Sequence, residues 1–241
     1  MSVTSASEQA GLPAWPWLSL VNRQVLAVKL IATTVHDVNN VLQVVSGAAE
    51  VLALDPSPAA VAKRTTSIVG HATAATTVLA GLIGFVRADG DARDGAKPLA
   101  LAQQVLALRQ HAFRKGRITA EAHGDEAEAA IARHHLQQVL LNLVVNAEPV
   151  LAGRPDARFT VTVRAGERVV VEVADNGPGL PPDVERTMAE WPPAPGAAAG
   201  ALGLGLRVSR HLVEHAGGTL QLGAAPEGGA LATISLPPLR R

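Results

Sequence analysis

The first third of the chain carries apolar residues at the three- and four-residue spacing of an amphipathic helix. They recur from about residue 17 to residue 54 and, after the segment "DPSP", from about residue 59 to residue 87. Proline cannot occupy a helix interior and keeps the preceding residue out of the helical conformation, so this segment ends the first helix. The pattern predicts a hairpin of two long helices.

The predicted hairpin is too thin to bury its own apolar residues. Its first helix would have roughly 38 residues and a length of about 57 Å at the usual rise per residue. Two hairpins from two chains would form a four-helix bundle in which each covers the other's apolar side. We therefore expect a homodimer.

A linker rich in glycine and aspartate, near 88–98, precedes a part with alternating helical and strand-like patterns. We predict helices over 99–115, 129–147 and 204–216, and strands at "RITAEAHG", "RFTVTVRAG", "RVVVEVADNG" and twice near the C-terminus. The fold class is therefore α+β: a helical hairpin (17–88), then an α/β sandwich (98–241) with helices on one face of a sheet. Residues 1–16 are expected to form a disordered lead.

Composition narrows the possible functions. The formal net charge is zero, which argues against nucleic-acid binding through bulk positive charge. The chain has no cysteine, which excludes disulfides and thiolate metal sites. It shows no leader with a basic start and no uninterrupted apolar run of membrane length, so we expect no membrane span and a cytoplasmic location.

Four polar residues interrupt the first predicted helix, in the stretch "TVHDVNNVLQVVSGAAEVL". They are His36, Asp37, Asn39 and Asn40. His36 and Asn40 share a face, so the amide can reach a group held on the imidazole. A neutral imidazole nitrogen is a nucleophile near neutral pH, and an adjacent carboxylate stabilises its charged form. The cluster is either a solvated face or a reactive site.

Two further motifs suit a nucleotide. In "VADNGPGL" a strand ends at Asp175 and turns through Gly177 and Gly179, where a carboxylate can accept a hydrogen bond from an adenine amine. In "HHLQQVLLNLVVNAEPV" a helix carries Asn142 and Asn146 on one face, with amide oxygens suited to Mg²⁺. The alternatives are an ordinary strand-end turn and two solvent-facing amides.

The last motif, "GLGLRVSRHLVEHAGG", places Gly203 and Gly205 directly before a predicted helix. Backbone N–H groups at a helix start suit a phosphate, and the alternative is a flexible loop with a helix cap. Taken together, the four motifs, in this order, resemble the transmitter module of sensor histidine kinases over about residues 20–237.

The resemblance implies a dimerisation and histidine-phosphotransfer hairpin followed by an ATP-binding domain of the kind found in gyrase-type ATPases and chaperones. It implies autophosphorylation by ATP and Mg²⁺ on His36, then transfer to an aspartate of a response-regulator receiver domain. Asp37 takes the place of the acidic residue that orients the imidazole and accepts its proton, and Asn40 that of a residue able to orient a water. The resemblance covers no sensor domain, so input is expected from a separate sensor protein, unless the sequence is a trimmed part of a longer chain.

In the second domain the resemblance assigns Asp175 to adenine and Asn146 to Mg²⁺. The complete implied nucleotide site comprises Asn142, Asn146, Asp175, Gly177, Gly179, Gly203 and Gly205. Asn142, in place of the glutamate of related ATPases, favours phosphotransfer over simple ATP hydrolysis.

The chain departs from the family pattern at the phosphate end. Glu148, followed by Pro149 as the expected helix end, replaces a basic residue, and we expect its carboxylate to repel a triphosphate. The expected lid, "MAEWPPAPGAAAGALGLGL", lacks lysine and threonine, with Trp191 as a stand-in for its aromatic residue. These departures leave a second interpretation open: a phosphotransferase, phosphatase or pseudokinase adaptor with a degenerate ATP domain that relays phosphate through His36.

Overall fold

The architecture is given by a computed structural model, which describes residues 15–55, 57–87, 95–182, 184 and 201–240. The side chains of Thr33, Asp37 and residues 201–203 fall outside this description. Most of the predicted lid, including Trp191, and residues 88–94 of the predicted linker also lie outside the described residues.

The predicted hairpin is confirmed. Helix α1 (Trp15–Leu54) leads through a short turn into helix α2 (Pro58–Arg87). In the turn, Asp55 Oδ1 accepts a hydrogen bond from the Ser57 N–H at 3.1 Å. The described part of α1 starts at Trp15, so the last two residues of the expected disordered lead (1–16) are helical, and residues 1–14 of that lead lie outside the described residues.

The hairpin leaves many large apolar side chains exposed to solvent. In α1 and α2 they are Trp17, Leu20, Val25, Val28, Ile31, Val35, Leu42, Val44, Val51, Leu54, Val61, Val69, Leu79, Ile83 and Val86. In the described part of α2, Phe85 is the one residue classed as fully buried. The hairpin thus presents a broad apolar surface, as the sequence pattern predicted.

Helices α1 and α2 are also long and apolar enough to cross a membrane by length and composition alone. Their most apolar 18-residue windows have mean hydropathies of 1.2 and 1.6. This is weak evidence, because core helices and signal sequences meet the same criterion. The expected absence of a membrane span stays a prediction.

The second part contributes four helices: α3 (Pro98–Leu108), α4 (Gln110–Gly116), α5 (Arg133–Leu151) and α6 (Ala201–His215). The single helix predicted over 99–115 is wrong, because Arg109 leaves the helical conformation (φ −106°, ψ 5°) and divides it. The expected helix end at Pro149 is also wrong. The Ala152 N–H donates to Glu148 O at 3.0 Å, so the last turn of α5 closes around the proline.

Five strands form one sheet: β1 (Thr119–Gly124), β2 (Arg158–Arg164), β3 (Val169–Asp175), β4 (Thr219–Ala224) and β5 (Ala230–Leu236). Their spatial order is β1-β2-β3-β5-β4, with β1 and β2 parallel and the other pairs antiparallel. The predicted hairpin of β2 and β3 and the two closing strands are confirmed.

Alternation along the strands determines where the core lies. Val169, Val171 and Val173 of β3 are buried, whereas the residues between them are only partly covered. This period of two turns one sheet face toward the helices, which confirms the α+β sandwich. The N-terminal half of α1 joins the same core, where Leu26 and Leu30 are buried.

Candidate functional site

Asp175, the last residue of β3, is held by two backbone groups. Its Oδ1 accepts hydrogen bonds from the Gly177 N–H at 2.8 Å and from the Ala230 N–H at 3.2 Å. Among the described residues no hydrogen bond reaches its Oδ2. The carboxylate is therefore oriented at the strand end with one oxygen available to a ligand amine.

Glycines surround this carboxylate for steric reasons. Gly179 has φ +86°, a left-handed conformation that side chains disfavour. A Cβ at Gly177 would lie 2.8 Å from Asp175 Oδ1. Sequence reasoning missed Gly229, which has φ +90° and where a Cβ would overlap the backbone of Asp175. The sequence "EGGA" indicates a glycine-containing turn, but no local pattern connects this turn to Asp175.

Asn146 lies half-buried on α5. Its Nδ2 is buried and has no hydrogen-bond partner among the described residues. Leaving a buried amide unsatisfied costs roughly 1–3 kcal/mol, so such a group is a natural ligand contact. Amide N and O atoms are assigned from their surroundings, so the oxygen can equally face the site and meet a hard cation. Asn146 fits the predicted role toward Mg²⁺.

Asn142 lies one turn earlier on α5 and is buried, with 3% of its surface exposed. Its Nδ2 donates to Asn22 Oδ1 at 3.0 Å, to Gly205 O at 3.1 Å and to Ser209 Oγ at 3.1 Å. Its Oδ1 accepts from Asn22 Nδ2 at 3.1 Å. In this conformation both ends of the Asn142 amide are used within the protein, so the predicted nucleotide contact is not available.

The Gly-x-Gly motif does not precede its helix as predicted. Helix α6 begins at Ala201, so Gly203 and Gly205 lie within its first turns. A Cβ at Gly205 would lie 2.9 Å from Asn142 Oδ1. Gly205 therefore lets α6 approach α5 closely, a packing role that the local motif did not indicate.

His36 is exposed on α1, next to Asn40. The Asn40 amide nitrogen is 3.1 Å from His36 Nδ1, as the four-residue spacing predicted. With the amide turned so that its oxygen accepts the Nδ1–H, His36 Nε2 keeps its lone pair and is the nucleophilic atom. The Asp37 side chain, the other predicted partner, lies outside the described residues.

The second domain supplies cationic neighbours to His36. The His111 ring of α4 lies 4.5 Å from the His36 ring, centroid to centroid. A cavity of about 540 Å³ beside them is also lined by Arg114 and Lys115 of α4. Positive charge around an imidazole suits a phosphoryl group. Sequence reasoning missed these α4 residues, because α1 and α4 meet only in the folded chain.

The Glu148 carboxylate, which the sequence suggested would repel a triphosphate, is paired with a basic side chain. The Arg109 guanidinium donates from Nε to Glu148 Oε1 at 2.6 Å and from Nη2 to Oε2 at 2.5 Å. The two side chains are 7% and 13% exposed. The pair is bidentate and largely removed from solvent, so the carboxylate is neutralised by a partner 39 positions away.

Both parts of the chain are similar to known proteins. Residues 131–240 match the family described as Histidine kinase-, DNA gyrase B-, and HSP90-like ATPase. The chain is 27% identical over 247 residues to the Sensor protein KdpD of Escherichia coli (strain K12), across 98% of this chain and 26% of KdpD. It is 44% identical over 104 residues to the Sensor histidine kinase ZraS of Klebsiella oxytoca, across 42% of this chain and 22% of ZraS.

The catalytic domain of histidine kinase ThkA is a similar solved structure, with a TM-score of 0.49 and 24% identity, covering 57% of this chain and 90% of ThkA's. The chain spans about a quarter of KdpD and about a fifth of ZraS. The match of residues 131–240 and the alignment of nearly the whole chain with a sensor protein agree with the predicted motifs. Residues 131–240 thus form a histidine kinase-, gyrase- and HSP90-like ATPase domain, and together with the sensor-kinase relatives this match supports a histidine kinase transmitter module in which a helical hairpin precedes that domain.

Proposed function

We propose that the protein is an ATP-dependent histidine kinase that phosphorylates itself on His36 and passes the phosphoryl group to an aspartate of a response-regulator receiver domain. The observation that carries this proposal is the exposed His36, with the Asn40 amide 3.1 Å from its Nδ1, in a chain that also holds an ATPase domain. A nucleophile on the hairpin and a nucleotide site in the second domain are the two parts that such a reaction needs.

The nucleotide would be held from two sides. Asp175 offers Oδ2 to the adenine amine, and Asn146 offers its amide to Mg²⁺. When bound, Mg²⁺ offsets the charge of the triphosphate. The neutralised Glu148 adds no uncompensated negative charge, so this departure from the family pattern is compatible with ATP binding.

The reaction is a displacement at phosphorus. His36 Nε2 attacks the γ-phosphorus of ATP, the bond from phosphorus to the bridging oxygen breaks, and ADP leaves with that electron pair. The phosphorylated ring then loses its Nδ1 proton to a base, the role we assign to Asp37. In the second step a receiver carboxylate attacks the same phosphorus and the N–P bond breaks.

The exposed apolar surface of α1 and α2 supports a dimer. Pairing two hairpins into a four-helix bundle would cover residues such as Val28, Val35 and Leu42, at about 25 cal/mol per Å² of apolar area buried. We assign the homodimer to this surface. A cytoplasmic location belongs to the same proposal.

Replacing Asp175 with asparagine should weaken ATP binding about 10- to 100-fold, because the new amide N–H₂ would face the adenine amine. Isothermal titration calorimetry with ATP and Mg²⁺ measures this. Asp125→Asn is the matched control, since Asp125 also accepts a backbone N–H, from Ala165, at a strand end. Equal affinities for the Asp175 variant and the unaltered protein would rule out the adenine contact.

The buried Asn142 favours a second candidate function. With its amide engaged by Asn22, the nucleotide site is incomplete in this conformation, which suits a protein that relays or removes phosphate through His36 and Asn40. Such a protein would accept phosphate from a phosphorylated receiver domain without ATP.

Incubation with γ-labelled ATP and Mg²⁺ separates the two functions. The kinase is expected to acquire label that is stable to alkali and labile to acid, and to lose it to a receiver domain. Label acquired only from a phosphorylated receiver would support the relay instead. ATP binding with no label under any condition would contradict the kinase proposal.

A further inference from the structure

The first four turns of α1 lie along α5 and α6. Gln138 of α5 donates from Nε2 to Ser19 O at 2.9 Å and to Asn22 Oδ1 at 2.8 Å. The Ser19 hydroxyl donates in turn to Gln138 Oε1 at 3.3 Å. Together with the Asn22–Asn142 bonds, these contacts form a buried polar network between helices far apart in sequence.

Apolar contacts complete this surface. Leu18, Leu26 and Leu30 point inward at spacings of eight and four residues and are buried. At the helix start, Trp15 stacks on His211 of α6, with ring centroids 4.1 Å apart and planes within 8°. One face of α1 therefore packs closely against α5 and α6, which belong to the same domain as the proposed nucleotide site.

We propose that Trp15–Leu30 of α1, here called the latch, covers Asn142 while closed and is released when a histidine cluster beneath it takes up protons. The inference rests on the proposed function in one respect, since it assumes that Asn142 takes part in ATP binding or transfer. The closed latch itself is independent of that assumption.

The closed latch also keeps His36 away from Asn142. Asn22, which contacts Asn142, and His36 are 36 − 22 = 14 residues apart on one helix. This is about four turns and about 21 Å along the axis, so both residues lie on nearly the same face. His36 meets α4 instead. Transfer at Asn142 therefore requires the second domain to leave the latch.

The histidine cluster lines a cavity of about 270 Å³ under the latch. It comprises His134 and His135 of α5 and His211 and His215 of α6, and α1 adds Arg23. The rings of His134 and His135 are 4.2 Å apart, and those of His211 and His215 are 6.1 Å apart. A proton taken up here adds positive charge to a site that already holds the Arg23 guanidinium.

Burial, and after it the charges of His134, His215, Arg23 and His211 in decreasing order, together lower the pKa of His135 from 6.5 to about 4. Burial, and then the charge of His215, also lowers the pKa of His211, although the Glu214 carboxylate acts in the opposite direction.

Because the pKa values of His135 and His211 are lowered in the closed state, acidification favours release of the latch. A histidine whose pKa is depressed in the closed state stabilises closure fully above its ordinary pKa of 6.5, and this stabilisation is lost as pH falls from 6.5 toward 4. At pH 5.5 His135 alone would raise the open-to-closed ratio of the latch about tenfold. Because the site is partly open to solvent, we expect this ratio to rise about three- to tenfold.

Tryptophan accessibility measures the latch directly. The chain has three tryptophans, so the Trp17→Phe/Trp191→Phe protein keeps Trp15 as its single reporter. Acrylamide quenching of Trp15 in the full chain is followed from pH 8 to pH 5, with circular dichroism as a check on folding. We expect Trp15 to become accessible below pH 6.5, with a three- to tenfold change in the open-to-closed ratio by pH 5.5.

Variants assign the effect to the cluster. His135→Gln should flatten the pH profile, and His123→Gln, outside the cluster, should leave it unchanged. Asn22→Ala should expose Trp15 already at pH 7.5. Accessibility that is independent of pH, or a profile that survives His135→Gln, would overturn the latch.

Binding of a fluorescent ATP analogue, measured on the same samples, separates this inference from the proposed function. A gain in affinity parallel to Trp15 exposure supports both. Trp15 exposure without nucleotide binding at any pH supports the latch and overturns the ATP-dependent function. Affinity that stays constant while Trp15 is released overturns the coverage of Asn142.

Discussion

Replacing His36 with glutamine will abolish the incorporation of labelled phosphate from ATP, a loss of at least about a hundredfold. Glutamine keeps a polar side chain on the exposed face of α1, but its amide nitrogen has no lone pair for attack on phosphorus. The fold should survive, because His36 is exposed and its described hydrogen bond to Asn40 is on the surface. Acid-labile label and thermal melting, measured on the same preparation, test both statements.

His71→Gln is the matched control for this variant. His71 is exposed on α2 and lines the same cavity as His36, so its replacement makes the same chemical change beside the same neighbours. It should retain label at the level of the unaltered protein. Asn40→Ala should reduce labelling about three- to tenfold, because the imidazole loses an orienting partner but keeps its nucleophile. Undiminished label in the His36 variant would place the phosphoryl group elsewhere.

Replacing Arg109 with methionine will lower the free energy of unfolding by about 3–5 kcal/mol, since it leaves the Glu148 carboxylate largely buried without its partner. Methionine fills much of the space of the arginine stem, so the expected cost comes from the uncompensated charge. Glu148→Met should cost a similar amount for the converse reason. Urea unfolding followed by circular dichroism measures both values.

Two further variants test whether the lost stability comes from the buried, unpaired charge. The double variant Arg109→Met/Glu148→Met should recover most of the lost stability, because removing both charges removes the desolvation cost. Arg164→Met breaks the more exposed pair with Glu172, at 2.8 Å, and should cost no more than about 1 kcal/mol. If the Arg109 variant were as mild as this surface control, the pair would not be a determinant of stability.

The Arg109–Glu148 pair also bears on the site. It joins the junction of α3 and α4 to the end of α5, and α4 carries His111 beside His36. Glu148 and His36 line one common cavity of about 690 Å³. Loss of the pair is therefore expected to disturb the neighbourhood of His36 as well as the stability of the second domain.

Local pattern was sufficient for much of this protein. The helical period gave α1 and α2, and the alternation of valines gave β2 and β3, because each element is amphipathic over its own length. Asp175 and Asn146 could be singled out because strand-end and helix-face positions follow directly from that pattern. The periodic pattern gave wrong helix bounds at Arg109 and at Pro149. At Arg109 a tertiary partner overrode helix propensity. At Pro149 the last turn of the helix tolerates a proline.

The sequence by itself determined the fold class and the resemblance to histidine kinase transmitter modules, and it nominated the residues proposed to be reactive. Only the tertiary structure decided what those residues face. Asn142 and Asn22 are 120 positions apart, and Arg109 and Glu148 are 39 apart, so no periodicity links either pair. Hydrophobic period describes which side of an element is buried, whereas the choice of partner depends on how whole elements dock. The docking of α1 on α5 and α6 brings Asn142 into contact with α1 and places four histidines together under the latch.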